Sequence, residues 1–548
     1  PEDQHEQWYT QSTLYGQVSE YTSSISQCGC SLIAANKMRW WVAVVGLLAA
    51  MQVIEASKVL VLTPISSKSH KNFYMGIINA LAARGHQITI LTPYKASKVH
   101  QNVQEVVLPQ MELTNFIPNL FTSGKFSGPF QLSLKAPQMC NDALADPKTQ
   151  NLLKEKYDLI MLGMFFSDCL LSIVHQMKVP YVYLCPAALH GPMAQMAGSV
   201  TFSSFAHNAL FYYKHPYSFL ERMVLSLTDV ASNTIFVKYV TNIIEKECRQ
   251  RGLCPEDMPA FPEMHLNSSL TLINSIKTLE MPAQPSVPTT VYCGGIHCHP
   301  SSPLPKDLED WVASSGEDGF IFFSLGSAVT PSSMPEEYRK ILVQVFGSLK
   351  QHVLWKWDKD TMEDLPPNVR LGKWLPQQDI LGHPKLKLFI THGGLLSTLE
   401  SMYHGVPVLG MPVFADQHSN MFEVEKNGWG KVLLWEELTP EALTEKIFEV
   451  MNDKSLKEEA QRRSLVMMDQ AQRPEDVAVY WLEYVIRHHG APHLVSPVRS
   501  MPWYQLYNVD VWITVVVALL LFFYVSFQIL RFLCHLLFCS KNRKQKSD

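Results

Sequence analysis

A short apolar run that stops at two glycines and continues as a helical pattern is the most constraining feature of this chain. Residues 388–390 (LFI) stop at residues 391–394 (THGG), and Leu395, Leu399 and Met402 then recur at helical spacing. The pattern predicts a buried strand, a glycine turn and a helix. The first turn of such a helix presents unpaired backbone N–H groups and the positive end of the helix dipole, which suits a phosphate.

Two polar features follow this turn. Glu400 lies about two turns into the predicted helix, and a second apolar run, Val406–Val413, ends at Asp416-Gln417. An anion site, a carboxylate at ribose distance and an Asp-Gln pair on the next loop together indicate a nucleotide-sugar site.

The run from Phe389 to Gln417, FITHGGxxSxxE followed by PVLxxPVxxDQ, resembles the signature of the UDP-glycosyltransferase family, with every fixed position filled. The resemblance implies an α/β fold of the GT-B type, in which two Rossmann-like domains face each other across a cleft. It also implies that the second domain binds a UDP-sugar and the first an acceptor, and that a hexose is transferred with inversion.

Repeated strand and helix patterns agree with this architecture. Lys58–Thr63 and His86–Thr92 are predicted strands, residues 64–70 a loop, and Asn72–Arg84 the helix between the strands, which makes a parallel βαβ unit. We predict a first, acceptor-binding domain over 57–290, a linker over 291–305 and a second, UDP-sugar-binding domain over 306–470. Residues 471–508 are predicted to form a helix that packs back on the first domain, and a juxtamembrane segment.

The two ends of the chain predict membrane targeting. Residues 1–37 are a polar extension expected to be disordered, and 38–56 resemble a signal peptide, with a buried strand or short anchor as the alternative. Residues 509–538 are a predicted transmembrane region, and 539–548 a basic tail placed in the cytosol by the positive-inside rule. Lys544 and Lys546 resemble a dilysine-type retrieval signal, so we expect a single-pass type I protein of the endoplasmic reticulum with lumenal catalytic domains.

Composition and short motifs indicate which ligands and modifications the chain can carry. A net charge of −4 gives no sign of nucleic-acid binding, and the 11 cysteines contain no CxxC pair that would indicate a metal site. Asn267 begins the glycosylation triplet Asn-Ser-Ser. Residues 200–245 concentrate aromatic side chains, which is compatible with an acceptor pocket, a membrane surface or ordinary helical core.

His70 is the candidate base, because it follows the first strand at the edge where α/β folds bind ligands, and a neutral imidazole can accept the acceptor's proton. A surface loop histidine is the alternative. The resemblance favours the catalytic role, since the family carries its base in a Ser-His motif that Ser69-His70 matches. The family's partner carboxylate aligns with Gly163, so the chain departs from the pattern there. Asp168 is the nearest substitute, with a helix cap as its alternative.

The resemblance also implies the donor contacts. Uracil would stack on a tryptophan, the ribose would bond a glutamine and a glutamate, the diphosphate would lie at the glycine turn, and the sugar would bond the Asp-Gln pair. The residues at these positions are Ser327, Trp374, Gln377, His392, Gly393, Gly394, Ser397, Glu400, Asp416 and Gln417. No metal or other cofactor is expected, because the helix N-terminus and His392 can hold the diphosphate.

The donor sugar is predicted to be glucose and the acceptor a hydroxyl of a small lipophilic molecule. Leu395-Leu396-Ser397 after the glycines resembles invertebrate members, which typically use UDP-glucose, and no added cation for a carboxylated sugar lies near Asp416-Gln417 in the sequence. A lipid-directed galactosyltransferase of the same family and a catalytically silent ligand-binding membrane protein are the alternatives. The oligomeric state stays open, and a homo-oligomer is compatible with the sequence.

Overall fold

Two parallel sheets, each built from buried strands with helices around them, organise the chain from Ser57 onward. The computed structural model describes residues 56–544 except 97, 117–118, 122–126, 190, 207–212, 214–215 and 281–282. The predicted extension, nearly all of the predicted signal peptide and the last four residues of the tail lie outside the described residues.

The first sheet has seven parallel strands in the order β3-β2-β1-β4-β5-β6-β7. The central strands are buried on both faces, as expected of a parallel sheet covered by helices. The strands are β1 Lys58–Leu62, β2 Gln87–Thr92, β3 Val103–Val107, β4 Leu159–Gly163, β5 Tyr181–Cys185, β6 Thr271–Ile273 and β7 Thr290–Tyr292.

Eight α-helices belong to this domain among the described residues: α1 Lys68–Ala83, α2 Ser127–Ala145, α3 Pro147–Leu152, α4 Leu171–Met177, α5 Gly191–Met196, α6 Phe219–Ser232, α7 Thr241–Gln250 and α8 Phe261–His265. A π-helical stretch, Asn233–Val240, joins α6 to α7. Two disulfides, Cys140–Cys169 and Cys248–Cys254, cross-link this domain.

The second sheet has six parallel strands in the order β10-β9-β8-β11-β12-β13. The strands are β8 Phe320–Ser324, β9 His352–Lys356, β10 Val369–Gly372, β11 Leu386–Thr391, β12 Val408–Gly410 and β13 Gly430–Val432. Its helices are α9 Lys306–Ala313, α10 Glu336–Ser348, α11 Gln377–Leu381, α12 Leu395–Tyr403, α13 Gln417–Lys426, α14 Pro440–Asn452 and α15 Lys454–Met468.

The chain then returns to the first domain. Helix α16, Pro474–Arg487, packs on α1 and β7, and its buried Glu483 lies 3.3 Å from His86 and from Arg84. Arg499, also buried, donates to the carbonyls of Leu266, Ser268 and Ala197, all in the first domain.

The chain ends in two helices, α17 Trp503–Leu506 and α18 Val509–Lys544. Within α18, Val509–Leu537 is long and apolar enough to cross a bilayer, with a mean hydropathy of 2.5. The apolar C-terminal helix agrees with the predicted transmembrane region.

Some local predictions differ from the structure. Residues 68–70 begin a helix instead of ending a loop, because the Ser67 side chain accepts a hydrogen bond from the His70 N–H and caps α1. Strand β7 extends the first sheet to Tyr292, two residues into the predicted linker. Strand β3 has no counterpart in the prediction, because its sequence VQEVV at the sheet edge is short and partly polar.

Candidate active site

Strand order places the site. In the second sheet the order reverses between β8 and β11, and in the first between β1 and β4. Parallel sheets bind ligands outside the carboxyl ends of their strands at such reversals. Gly326-Ser327 follows β8 and His392 follows β11, whereas His70 and Phe165 follow β1 and β4. Both predicted halves of the site therefore lie at the reversal points.

The glycine turn after β11 forms as predicted. Gly393 adopts φ 82°, which few other residues tolerate, and Gly394 is the N-cap of α12. No side chain caps this helix in the described part of the chain. The first N–H groups of α12 are therefore available to an anion.

His392 lies under this turn, buried against Gly326. A Cβ atom added at Gly326 would stand 2.4 Å from the His392 ring, so only glycine fits there. Burial, together with the positive charge of Lys356, lowers the pKa of His392 to about 3. The imidazole is therefore neutral near pH 7, and it can donate one N–H to a phosphate oxygen without carrying a charge of its own.

Lys356 supplies a cation that the sequence analysis missed. It ends β9, donates to the Gly326 carbonyl at 2.8 Å, and its ammonium lies 5.5 Å from the centroid of the Trp374 ring. Burial and, to a smaller extent, the charge of Lys68 lower the pKa of Lys356 to about 8, and the charge of Glu400 opposes them. The sequence did contain a signal for this residue, because Lys356 ends a predicted strand of the same domain as the glycine turn.

Three of the predicted nucleoside-binding residues, Gln377, Ser397 and Glu400, form one hydrogen-bonded network. Gln377, the first residue of α11, donates to Ser397 Oγ at 2.9 Å and to Glu400 Oε2 at 2.5 Å. Gln378, which was not predicted, donates to Glu400 Oε1 at 3.3 Å. Trp374 is 71% exposed, so a large indole face is open to a planar base.

Glu400 has an unusual environment for a carboxylate. It is 5% exposed, and burial raises its pKa to about 7, partly offset by the hydrogen bond from Gln377 and the charge of Lys356. With this pKa, about half of the Glu400 side chains are ionised at neutral pH. Only the ionised carboxylate accepts hydrogen bonds from hydroxyl groups at full strength.

Asp416-Gln417 adjoins the glycine turn. The Gln417 Oε1 accepts from the backbone N–H groups of Val413 and Phe414, which shapes the loop. Asp416 is exposed, and Asn420 bridges its carboxylate at 2.8 Å to the Gly393 carbonyl at 2.9 Å. The predicted sugar contacts thus stand next to the predicted phosphate contacts.

His70 lies in the first turn of α1, with its ring centroid 5.3 Å from that of Phe165. Its Nδ1 is buried and has no hydrogen-bond partner among the described residues. Burial lowers the pKa of His70 to about 4, which keeps the imidazole neutral near pH 7. A neutral imidazole is the form that a general base requires.

The two domains meet at α1, the helix that bears His70. Helices α1 and α12 are in contact, and Leu396 packs with core residues of the first domain. His297, on the segment that joins the domains, lies 3.4 Å from the Leu396 carbonyl and 4.0 Å from Glu400. These contacts place α1 alongside α12, the helix that carries Ser397 and Glu400.

Asp168 has other partners. Its carboxylate bonds His265 Nε2 at 2.9 Å and Thr241 Oγ1 at 3.3 Å, next to the Cys140–Cys169 disulfide. These contacts give Asp168 a structural role, and its pairing with His70 stays a prediction. At Gly163, an added Cβ would stand 3.5 Å from the buried Tyr74 hydroxyl.

The sequence was compared with known proteins. The family model described as UDP-glucoronosyl and UDP-glucosyl transferase matches residues 57–545. The chain belongs to the UDP-glycosyltransferase family. UDP-glucosyltransferase 2 of Dactylopius coccus is 32% identical over 511 residues, covering 91% of this chain and 97% of that protein. The 2-hydroxyacylsphingosine 1-beta-galactosyltransferase of Homo sapiens is 30% identical, covering 87% and 89%.

A solved structure supports the fold. The UDP-glucosyltransferase of Polygonum tinctorium, solved with 3,4-dichloroaniline, matches with a TM-score of 0.55 at 15% identity, covering 79% of this chain and 99% of that one. The predicted family, the GT-B fold and the assignment as a glycosyltransferase are confirmed. The enzyme uses a UDP-sugar donor and an acceptor, as the family implies.

Proposed function

We propose that this UDP-glycosyltransferase transfers glucose from UDP-glucose to a hydroxyl of a small lipophilic acceptor, with His70 as the general base. The observation that carries the proposal is the contact between α1, whose first turn bears His70, and α12, which bears Glu400 with its hydrogen bond from Gln377. On this proposal, the proton acceptor and the site for the charged leaving group face opposite sides of one reacting carbon.

The reaction runs as one displacement. His70 takes the acceptor's proton while the hydroxyl oxygen forms a bond to the sugar C1. The bond between C1 and the diphosphate oxygen breaks, and its electron pair stays on UDP. The N–H groups at the start of α12, the His392 N–H and the Lys356 ammonium stabilise that charge. Attack opposite the leaving group inverts the anomeric configuration, and His70 releases its proton to solvent.

No metal is included in this proposal. A cation that is already in place at the end of β9 and a helix N-terminus can neutralise much of the charge that develops on UDP. The fixed positive groups are available before the reaction begins, so they require little reorganisation as the bond breaks.

The choice of glucose rests on the residues after the glycine turn and on the relative named as a glucosyltransferase. The galactosyltransferase among the relatives keeps transfer of galactose to a lipid as the second candidate. A donor panel on detergent-solubilised enzyme separates them: UDP-glucose should give the highest kcat/KM, and a higher value for UDP-galactose would favour the second candidate.

We further propose that the catalytic domains lie in the lumen of the endoplasmic reticulum. Both disulfides are in the first domain, and disulfides persist in oxidising compartments. Asn267 is exposed, as a glycosylated residue must be. A glycosidase-sensitive mass shift that Asn267→Gln abolishes would support this orientation, and an unglycosylated Asn267 in microsomes would argue against it.

The variant His70→Ala tests the base. Turnover should fall by a factor of at least about 100, the usual contribution of general-base catalysis, while UDP affinity stays the same. His175→Ala, the same substitution on α4 of the same domain, serves as the control and should leave turnover intact. Near-normal turnover of His70→Ala would remove His70 from the mechanism.

A further inference from the structure

One face of α6 and of the π-helical stretch after it is apolar and exposed. Phe219, Leu227 and Val230 are 74%, 64% and 65% exposed. From Leu220 to Val230 the exposed apolar residues recur every three or four residues, and the pattern continues into the π-helical stretch. The α6 stripe, as we name it, comprises Phe219, Leu220, Met223, Leu227, Val230, Ile235 and Tyr239. An apolar face of this length marks an interaction surface.

The helix itself is well anchored, so the stripe is not a frayed segment. Ser218 and Glu221 form a capping box at its start, and Leu225 is buried on the opposite side. Arg222 is exposed beside the stripe, and Lys238 and Lys246 line the surface depression that contains Tyr239. Apolar side chains bordered by cations are typical of helices that lie in the interface of a membrane.

Contacts connect α6 to the point where the chain reaches its apolar C-terminal helix. Asp229 of α6 accepts from Ser203 Oγ at 2.5 Å, and the neighbouring Phe202 ring packs on Tyr507 at 6.2 Å. Tyr507 also donates to the Thr201 carbonyl, and burial and then the charge of Asp229 raise its pKa. Tyr507 stands two residues before Val509, where α18 begins.

We propose that the α6 stripe lies in the phospholipid leaflet that α18 enters, as a second membrane contact of the first domain. Continuity selects this occupant. Val230 of the stripe follows Asp229, which bonds Ser203. The neighbouring Phe202 packs on Tyr507, two residues before the span begins. Trp503, 67% exposed, and Tyr504, 42% exposed, lie on the same approach and are typical interface residues. The proposal concerns membrane binding and does not depend on the donor sugar or the acceptor.

Depth-resolved fluorescence on the full chain tests this contact. An environment-sensitive maleimide dye is attached to Leu227→Cys in a Cys534→Ser, Cys539→Ser background, and the protein is reconstituted in phosphatidylcholine vesicles that contain spin-labelled lipid. Leu465→Cys on α15, where Leu465 is 70% exposed, is the matched control. Signal from the background without an added cysteine is subtracted.

We expect the dye at position 227 to shift to shorter wavelength and to be quenched by the lipid at least threefold more than the dye at position 465. Met223→Cys and Val230→Cys should behave like Leu227→Cys, because they lie on the same stripe. Equal quenching at positions 227 and 465 would overturn the proposal. A wavelength shift that lipid does not quench, and that grows with the protein-to-lipid ratio, would overturn it too, in favour of a second copy of the chain.

Discussion

Donor binding should have a bell-shaped pH dependence, with Glu400 on the acid side and Lys356 on the alkaline side. Glu400 must be ionised to accept the ribose hydroxyls at full strength, and burial raises its pKa to about 7. Lys356 must be protonated to attract the diphosphate, and burial lowers its pKa to about 8. Affinity should therefore peak between these two values.

The size of the effect follows from the fraction of each group that carries its charge. At pH 6, about one Glu400 in eleven is ionised, so donor affinity should fall about tenfold, or about 1.4 kcal/mol. At pH 9, about one Lys356 in eleven is protonated, and a loss of similar size is expected. The sign differs on the two sides, because acid removes a negative charge and alkali removes a positive one.

Equilibrium titration of UDP-glucose without acceptor, from pH 5.5 to 9, measures this dependence. An intact UDP-sugar is preferable to UDP, whose terminal phosphate titrates within the range. The variant Glu400→Gln should bind about 10 to 150 times more weakly at pH 8, the value of a hydrogen bond to a charged group, and should lose the acid limb. Lys356→Met should lose the alkaline limb only. An acid limb that persists unchanged in Glu400→Gln would refute the assignment.

Three further outcomes are expected. Because burial lowers the pKa of His70 to about 4, kcat at saturating donor should hold as pH falls to about 5 and decline only near 4; a midpoint near 6.5 would contradict this. EDTA should leave turnover unchanged if Lys356 and a helix N-terminus hold the diphosphate as proposed, and strong loss restored by a divalent cation would reveal a metal requirement. Lys71→Met should lower the free energy of unfolding by about 3–5 kcal/mol, because it leaves buried Glu105 without its ion pair, and should lower Tm by about 6 to 20 °C. The control Lys58→Met, which removes an exposed ion pair, should lower the free energy of unfolding by less than about 1 kcal/mol. Equal shifts in the two melting curves would contradict this difference.

The donor half of the site was predictable because its chemistry is local in sequence. One strand, two glycines and one helix bring His392, Ser397 and Glu400 together within nine residues. Periodicity and spacing predicted the anion site and Glu400, and the family resemblance supplied the role of Ser397. Lys356 was missed because it reaches the same place from another strand, and sheet order is not visible in the residues of β9 alone.

Contacts between residues that are far apart in the sequence could not be predicted. Cys140 and Cys169 are 29 residues apart, and spacing alone does not select this partner among 11 cysteines. Asp168 likewise looked available for His70 in the sequence, whereas His265, 97 residues away, binds its carboxylate. The start of α1 was placed too late because the surrounding sequence is typical of a loop. In the structure, the Ser67 side chain accepts a hydrogen bond from the His70 N–H and caps the helix there.

Arg499 fixes the segment before α18 to the first domain. It joins the segment before α18 to carbonyls at residues 197, 266 and 268, and Gly198 makes room for it, since an added Cβ would stand 2.2 Å from the arginine. Helix α18 therefore follows a segment that is fixed to the first domain, and the second domain is joined to the first through the chain segments between β7 and α9 and between α15 and α16. If α18 spans a bilayer as proposed, a hinge motion between the domains would move the second domain, with its predicted UDP-sugar site, relative to a first domain that is held at the membrane.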